Sequence, residues 1–501
     1  MGAMVFLFAL AAWTVLELPF TLANGETAQK KPLPATMPGG VAVFDYDGDG
    51  RPDLFFPNSG GQPPKLLRNL GGFKFEDATA ESGPAVRGDS FAAAAADFDG
   101  DGRLDLAVCG LKGVQIFRNE GGRFRDATAA ARVDNRGRWC VGAAWFDMDN
   151  DGDLDLFLVN YVKWNPATER TCLVNGKPDF CHPRHYEPEA NALFRNDGGG
   201  AFTDVSERSG IAAHKGKGMG VAVADFDGDG FADLFVTNDR VFNFLFRNCR
   251  DGTFTEAAFE AGVAVPRDGN PPSAMGVDAQ DYDNDGAPDF IYTALRDETF
   301  PLYRNRGKEF DEATAPSGLA VLTRQMAGWG IVFADLDNDG WKDVAAARSD
   351  ALSPTGGKGA AAKEPPSWFR NTAGGKFKLG GGWEAAPAAM YRGLVAADLD
   401  GDGCLDIVLT ALNAPARILR NPCAEKSNWA AVDARGAAAR VRVGKQWREA
   451  RSTTLGYASS YAGPLHFGLG PETEAEVEVV WTDGRRKTVR TPANRTVTIE
   501  P

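Results

Sequence analysis

The sequence predicts an all-β protein: a seven-bladed β-propeller followed by a small C-terminal β domain. Three observations carry this expectation. The string D-x-D-[GN]-D-G-x-x-D occurs seven times, starting at residues 45, 97, 147, 225, 281, 335 and 398. Its copies recur at intervals of 50 to 78 residues, the length of one supersecondary unit. Each copy is also followed by the same succession of short apolar runs and turns, which no helical periodicity interrupts.

Within a unit, each element has its own signal. A short apolar run precedes the Asp string, and another follows it (DLFFPN, DLAVCG, DLFLVN, DLFVTN, DFIYTA, DVAAAR, DIVLTA). An Arg-Asn pair then ends a third run, at Arg68, Arg118, Arg195, Arg247, Arg304, Arg370 and Arg420. In most copies a Gly-rich turn leads to a final strand, as in GGFKFEDAT and GGRFRDAT. Four short antiparallel strands in about 50 residues make one propeller blade. Seven blades closing into a ring over 37–426 leave no exposed sheet edge. The Arg-Asn pairs read as hairpin and inter-strand structure rather than ligand contacts.

The Asp strings read as calcium loops. The carboxylates stand at positions 1, 3, 5 and 9: Asp45, Asp47, Asp49 and Asp53; Asp97, Asp99, Asp101 and Asp105; Asp147, Asp149, Asp151 and Asp155; Asp225, Asp227, Asp229 and Asp233; Asp281, Asp283, Asp285 and Asp289; Asp335, Asp337, Asp339 and Asp343; Asp398, Asp400, Asp402 and Asp406. Odd positions converge as the loop wraps, position 7 adds a backbone carbonyl, and Gly at position 6 permits the sharp turn. Hard oxygen donors in that number suit Ca²⁺, up to seven ions, with Mg²⁺ as second choice. An EF-hand is excluded because position 12, where a Glu is needed, holds Phe56, Val108, Leu158, Val236, Tyr292, Ala346 and Leu409. One such string alone is an ordinary polar Asp-Gly turn; seven at blade spacing are a metal-binding pattern. Two carboxylates 4 Å apart repel by about 4 kcal/mol at an effective dielectric near 20. Four together therefore link folding to the metal.

The loop pattern resembles the FG-GAP-like (VCBS) repeats, in the calcium-loop subtype related to the integrin α propeller. The literal Phe-Gly and Gly-Ala-Pro ends of those repeats are absent. Residues 428–501 resemble the ASPIC/UnbV domain through Arg440-Val441, Gly456-Tyr457, LHFGLG (465–470) and Trp481-Thr482-Asp483-Gly484, where Thr482 replaces the usual Pro. The two together are similar to the cartilage-acidic-protein-like group, which implies a calcium-binding, extracellular, adhesion-like protein. Independently, the alternation in AEVEVVW and an Asp-Gly turn predict a small all-β domain here.

MVFLFALAAWTVL (4–16) is shorter than the roughly 20 apolar residues that span a bilayer. It predicts a signal peptide over 1–23, cut after Ala23, or else an uncleaved anchor. No Lys or Arg precedes the run, and Glu17 interrupts its end. The protein is expected to be secreted or otherwise extracytoplasmic (periplasmic or extracellular), with membrane contact only if that segment stays attached. Of seven cysteines, Cys172 and Cys181 are a disulfide candidate in a short loop. His182 and His185 beside them leave a metal site as the alternative. Cys404 and Cys423 form a second candidate pair, and the odd total leaves at least one thiol over.

In this strand order the Asp loops share one face. The insertions 161–190 and 350–367 and the inter-blade loops fall on the other. Those inter-blade loops carry Arg87, Arg136, Arg138, Lys215, Lys217, Arg267, Arg324 and Arg392. The expectation is a basic funnel around the channel mouth, suited to acidic glycans or carboxylated small molecules; ordinary solvated loop charge is the alternative. A glycan or an extracellular protein is thus the expected partner, and the net charge of −14 argues against nucleic acid. Arg87-Gly88-Asp89-Ser90 spells an integrin-recognition tetrapeptide, a weak signal in a chain this rich in Gly and Asp. No nucleophile constellation, phosphate loop or His-Glu-x-x-His helix occurs, so a binding module is preferred to an enzyme. A calcium-dependent polysaccharide lyase acting on acidic glycans and a structural envelope component are the alternatives. Setting the 28 loop aspartates aside leaves 40 acidic residues against 54 basic ones, so the acidity of this chain resides in its loops.

Overall fold

The computed structural model describes residues 12–167, 169–350, 363–423, 427–434, 439–444, 446–449, 454–482 and 484–500. Among the described residues, seven sheets repeat one plan. In each, an inner strand leads into an Asp loop and pairs antiparallel with the strand that leaves it. Inner strands such as Ser90–Ala96 (SFAAAAA) and Gly218–Ala224 (GMGVAVA) are buried along their whole length. They show no in-out alternation because both faces press on neighbouring blades. Ala and Gly recur in these strands, interleaved with large residues such as Trp145 and Trp329. The three-residue outer strands, such as Phe124–Asp126, are mostly exposed.

Two devices close the ring. In every blade the Asn of the Arg-Asn pair donates its side-chain amide to the position-2 carbonyl of the preceding Asp loop. The bonds run Asn119 to Tyr46, Asn196 to Phe98, Asn248 to Met148, Asn305 to Phe226, Asn371 to Tyr282 and Asn421 to Leu336, at 2.7–2.9 Å. Asn69 of blade one completes the circuit on Leu399 of blade seven at 2.9 Å. The Asn of each Arg-Asn pair is therefore structural, as expected, but it bridges two blades rather than the strands of one hairpin. The second device is the outermost strand of blade seven, Thr14–Thr21, which pairs with Pro415–Arg420 from the far end of the ring.

That strand corrects the expected boundaries. The propeller starts at residue 14 rather than 37, and residues assigned to a leader ending at Ala23 are part of its core. Leu18, Phe20 and Leu22 are buried against blades one and seven. Phe20 stacks on Phe56 at 4.5 Å, and Arg417 pairs with Glu17 at 2.9 Å. Cleavage after Ala23 would remove the closing strand. Residues 1–11 lie outside the described residues, and no described helix is long and apolar enough to cross a membrane.

The second correction concerns 428–501. Its three-stranded and four-stranded sheets enclose a core of Val432, Phe467, Val477 and Trp481. One hairpin, however, leaves the domain: Thr454–Leu455 and Ser459–Ala462 add to blade one, the latter strand running parallel to Ala42–Phe44. The tip residue Tyr457 is fully buried, donates its hydroxyl to the Met37 carbonyl at 2.6 Å, and meets Trp329 edge-on at 5.2 Å. The close approaches of Gly39, Gly276 and Gly456 to opposing chain show how little room is left for this tip.

Disulfides join Cys172 to Cys181 and Cys404 to Cys423, as the spacing suggested. A third, Cys109–Cys140, joins blades two and three. At 31 residues' separation it has no local signal. Cys249 is the exposed free thiol. Of the 350–367 insertion, 351–362 lie outside the described residues.

Candidate functional site

Blade one shows how an Asp loop is built. Asp45 accepts the Asp49 and Gly50 amides at 3.1 and 2.7 Å, drawing the loop around its carboxylate. Asp49 accepts the Arg51 amide at 3.0 Å. Asp53 accepts the Tyr46 amide at 3.1 Å on one oxygen and the Asn69 amide at 2.7 Å on the other. The position-6 glycine has φ 84°, with open space where a Cβ would sit. Backbone conformation, not crowding, is what demands glycine there.

The donor set fits a hard cation. Ligand atoms of Asp45, Asp47 and Asp53 lie within 4.8 Å of one another, as do those of Asp97, Asp99 and Asp101, of Asp147, Asp149 and Asp155, and of Asp225, Asp227 and Asp229. At position 3, buried oxygens of Asp149, Asp227, Asp283 and Asp400 have no hydrogen-bond partner among the described residues. Buried carboxylate oxygens left in this way are costly unless a cation meets them. The other position-3 oxygen is commonly held by the Arg of the Arg-Asn pair: Arg68 on Asp47 at 2.6 Å, Arg247 on Asp227 at 3.1 Å, Arg304 on Asp283 at 2.7 Å, Arg420 on Asp400 at 3.3 Å, and Arg118 on Asp99. Arg195 turns to Asp197 instead. Sequence reasoning placed these arginines in hairpins and missed their proximity to the loops; their recurrence in every unit was the available signal. Burial raises the position-9 carboxyls far above their ordinary range in the metal-free chain, Asp53 and Asp233 to about 7 and Asp105, Asp155 and Asp406 to about 8.

The expected basic funnel does not form. Arg392 is fully buried, its guanidinium 3.7 Å from the Trp329 ring centre beside Tyr457, and burial lowers its pKa to about 9. Lys217 is buried and donates to the Pro183 carbonyl at 2.8 Å. Lys215, Arg267 and Arg324 are exposed, and Arg87 and Arg136 pair with Asp126 and Asp204. The C-terminal hairpin occupies the space that these charges would have ringed.

What the described residues build instead, over blade three, is a cleft of about 370 Å³. Arg136, Arg138 and Trp139 come from the inter-blade loop, and Trp164, Arg170 and Tyr186 from the 161–190 insertion that Cys172–Cys181 ties together. Glu169 holds that wall in place: it accepts the Tyr186 hydroxyl at 2.6 Å, the Leu33 amide at 3.1 Å and the Trp164 indole N–H. Trp139 meets Trp164 edge-on at 6.0 Å. Arg138 and Arg170 form no ion pair among the described residues. Arg136 and Arg138 were legible in the sequence; Trp139, Glu169 and Arg170 were not, because only the fold of the insertion brings them together.

Two family profiles match most of the chain. The FG-GAP-like repeat profile matches residues 45–108, 97–158, 175–236, 225–292, 281–346 and 357–409, and that of ASPIC and UnbV matches 424–501. The chain is similar to Cartilage acidic protein 1 of Homo sapiens, 26 % identical across 90 % of this chain and 70 % of that protein. It is also similar to that of Mus musculus, 25 % identical across 90 % and 71 %. Among solved structures, a Bacillus licheniformis rhamnogalacturonan lyase matches 82 % of this chain and 76 % of its own at 14 % identity with a TM-score of 0.41. An Agrocybe aegerita lectin that recognises non-reducing terminal N-acetylglucosamine matches 72 % and 87 % at 17 % identity, also at 0.41.

Proposed function

Because the chain belongs to the FG-GAP-like repeat proteins that end in an ASPIC and UnbV domain, we propose that it is a secreted, calcium-stabilised propeller that binds a glycan or an extracellular protein on the face opposite its Asp loops. The cleft over blade three carries the binding half of this reading. Its volume falls within the roughly 300–1,000 Å³ of small-ligand sites. Its aromatic wall and the two guanidiniums that form no ion pair among the described residues suit a saccharide bearing carboxylate groups. The buried oxygens of Asp149, Asp227, Asp283 and Asp400, without a hydrogen-bond partner among the described residues, carry the calcium half. Three disulfides are compatible with an oxidising compartment.

A glycan array probed with and without Ca²⁺, followed by product analysis of each hit, tests this. Binding without turnover supports the module. New unsaturated chain ends would favour the lyase reading, and absence of binding to any acidic glycan or extracellular protein panel would refute the proposal.

A further inference from the structure

The seven Asp loops are not equivalent. Position 8 is Pro52, Leu104, Leu154, Ala232, Pro288 and Leu405 in six of them, and Lys342 in the sixth. Lys342 is 2 % exposed. Its ammonium donates to the His466 carbonyl at 3.4 Å and lies 5.4 Å from the Phe467 ring centre. Burial raises the Asp335 carboxyl to about 7, and the nearby Lys342 ammonium opposes that rise.

The LHFGLG strand of the C-terminal domain, Leu465–Gly470, is wrapped onto this same loop. The His466 ring nitrogen meets the Asn338 side-chain oxygen at 2.6 Å, and the Gly470 amide donates to the Asn338 carbonyl at 2.8 Å. Asn338 in turn donates to the Gly403 carbonyl at 3.0 Å. A Cβ on Gly468 would stand 2.1 Å from a carboxylate oxygen of Asp335, so only glycine allows this approach. Trp429 covers Gly403 equally closely and stacks on His466 at 5.9 Å. Asp335 lies fully buried beneath this strand; Asp147, Asp225 and Asp281 at the same position are buried too, and Asp45, Asp97 and Asp398 are partly exposed. Thr482 of the C-terminal domain also reaches Asp147 of the third loop, but it brings no charge there.

We propose that the sixth loop is the docking seat of the C-terminal domain and not an exchangeable calcium site, the Lys342 ammonium supplying the positive charge that an ion supplies in the other six. This rests on the calcium reading of those loops. An ammonium held beside the carboxylates by the covering strand repels a divalent ion. The histidine and two glycines of LHFGLG then have a physical reason: they fit the contour of a loop that carries its own cation.

The test counts ions on the full chain by native mass spectrometry after chelation and reloading with Ca²⁺. Six ions are expected for the wild type, and seven for Lys342→Leu, which installs the residue found in loops two, three and seven. Lys342→Arg, which keeps the charge, should stay at six. Seven exchangeable ions in the wild type would overturn the proposal while leaving the calcium reading intact. No bound ions at all would overturn both. The wild-type count decides the matter even if a variant fails to fold.

Discussion

A chain beginning at Asn24 would lack the strand that closes the ring. Its loss removes Leu18, Phe20 and Leu22, which are 6 %, 5 % and 1 % exposed. Burying a side chain of this size stabilises by about 1.5–3 kcal/mol, so the three together contribute roughly 5–9 kcal/mol. The Phe20–Phe56 stack adds about 1 kcal/mol. Against a net stability of about 5–15 kcal/mol, that loss is large. At about 1 °C per kcal/mol for a chain of 501 residues, Tm falls by about 6–10 °C. The uncovered edge of Pro415–Arg420 also becomes a template for pairing between molecules. Circular dichroism melts and sedimentation would measure both effects, with a chain beginning at Trp13 as the control that keeps the strand. If the version beginning at Asn24 melts within 2 °C of the control and stays monomeric, the closing role assigned to Thr14–Thr21 is wrong.

Other outcomes follow from the same geometry. The raised carboxyls of Asp53, Asp105, Asp155, Asp233 and Asp406 mean that the metal-free fold holds protons the unfolded chain releases. In EDTA their contribution is complete below about pH 4 and is lost as pH rises through 7–8, so the metal-free Tm should fall between pH 5 and pH 9. Calcium, which needs these groups ionised, should reverse that slope, and a pH-independent melt in EDTA would contradict the burial of these groups. Asn305→Ala leaves the Phe226 and Pro288 carbonyls without their donor; denaturant melts should show a loss of about 2–4 kcal/mol. Trp164→Ala should weaken binding of an acidic glycan at least tenfold by calorimetry while shifting Tm by less than about 2 °C, and unchanged affinity would remove the cleft from the binding face. Tyr457→Phe, which strips the donor from the Met37 carbonyl, should cost about 1–3 kcal/mol, and no change in the melt would mean that the hairpin tip is not anchored there.

The repeat unit, its sevenfold number and the Asp loops were legible in the sequence because each depends on residues close together in the chain. A loop's carboxylates span nine residues, and its first aspartate is bonded to amides four and five positions on. The glycine at position 6 answers a local φ. The Arg-Asn pair was legible as a repeat, but the opposite duties of its members were not. The Asn reaches a carbonyl in the preceding blade, and the Arg reaches a carboxylate across its own. The cleft lay half in view: its inter-blade arginines carry a charge signal, whereas Arg170 and Glu169 gain a role only once the 161–190 insertion is folded.

The sequence by itself thus determined what one blade is, how many there are and where each carries its acidic cradle, since these follow from short-range pattern and backbone conformation. Tertiary structure alone decided how the ring shuts and what fills its centre. An apolar N-terminal run suits a leader and a buried edge strand equally well until the register Leu16 to Ile418 exists. The basic residues could ring a channel only if it were empty, and a hairpin 418 residues away in the chain, bonded through Ser459 to Val41, occupies it. Contacts of that span are selected by whichever apolar surface remains uncovered when the seven blades meet.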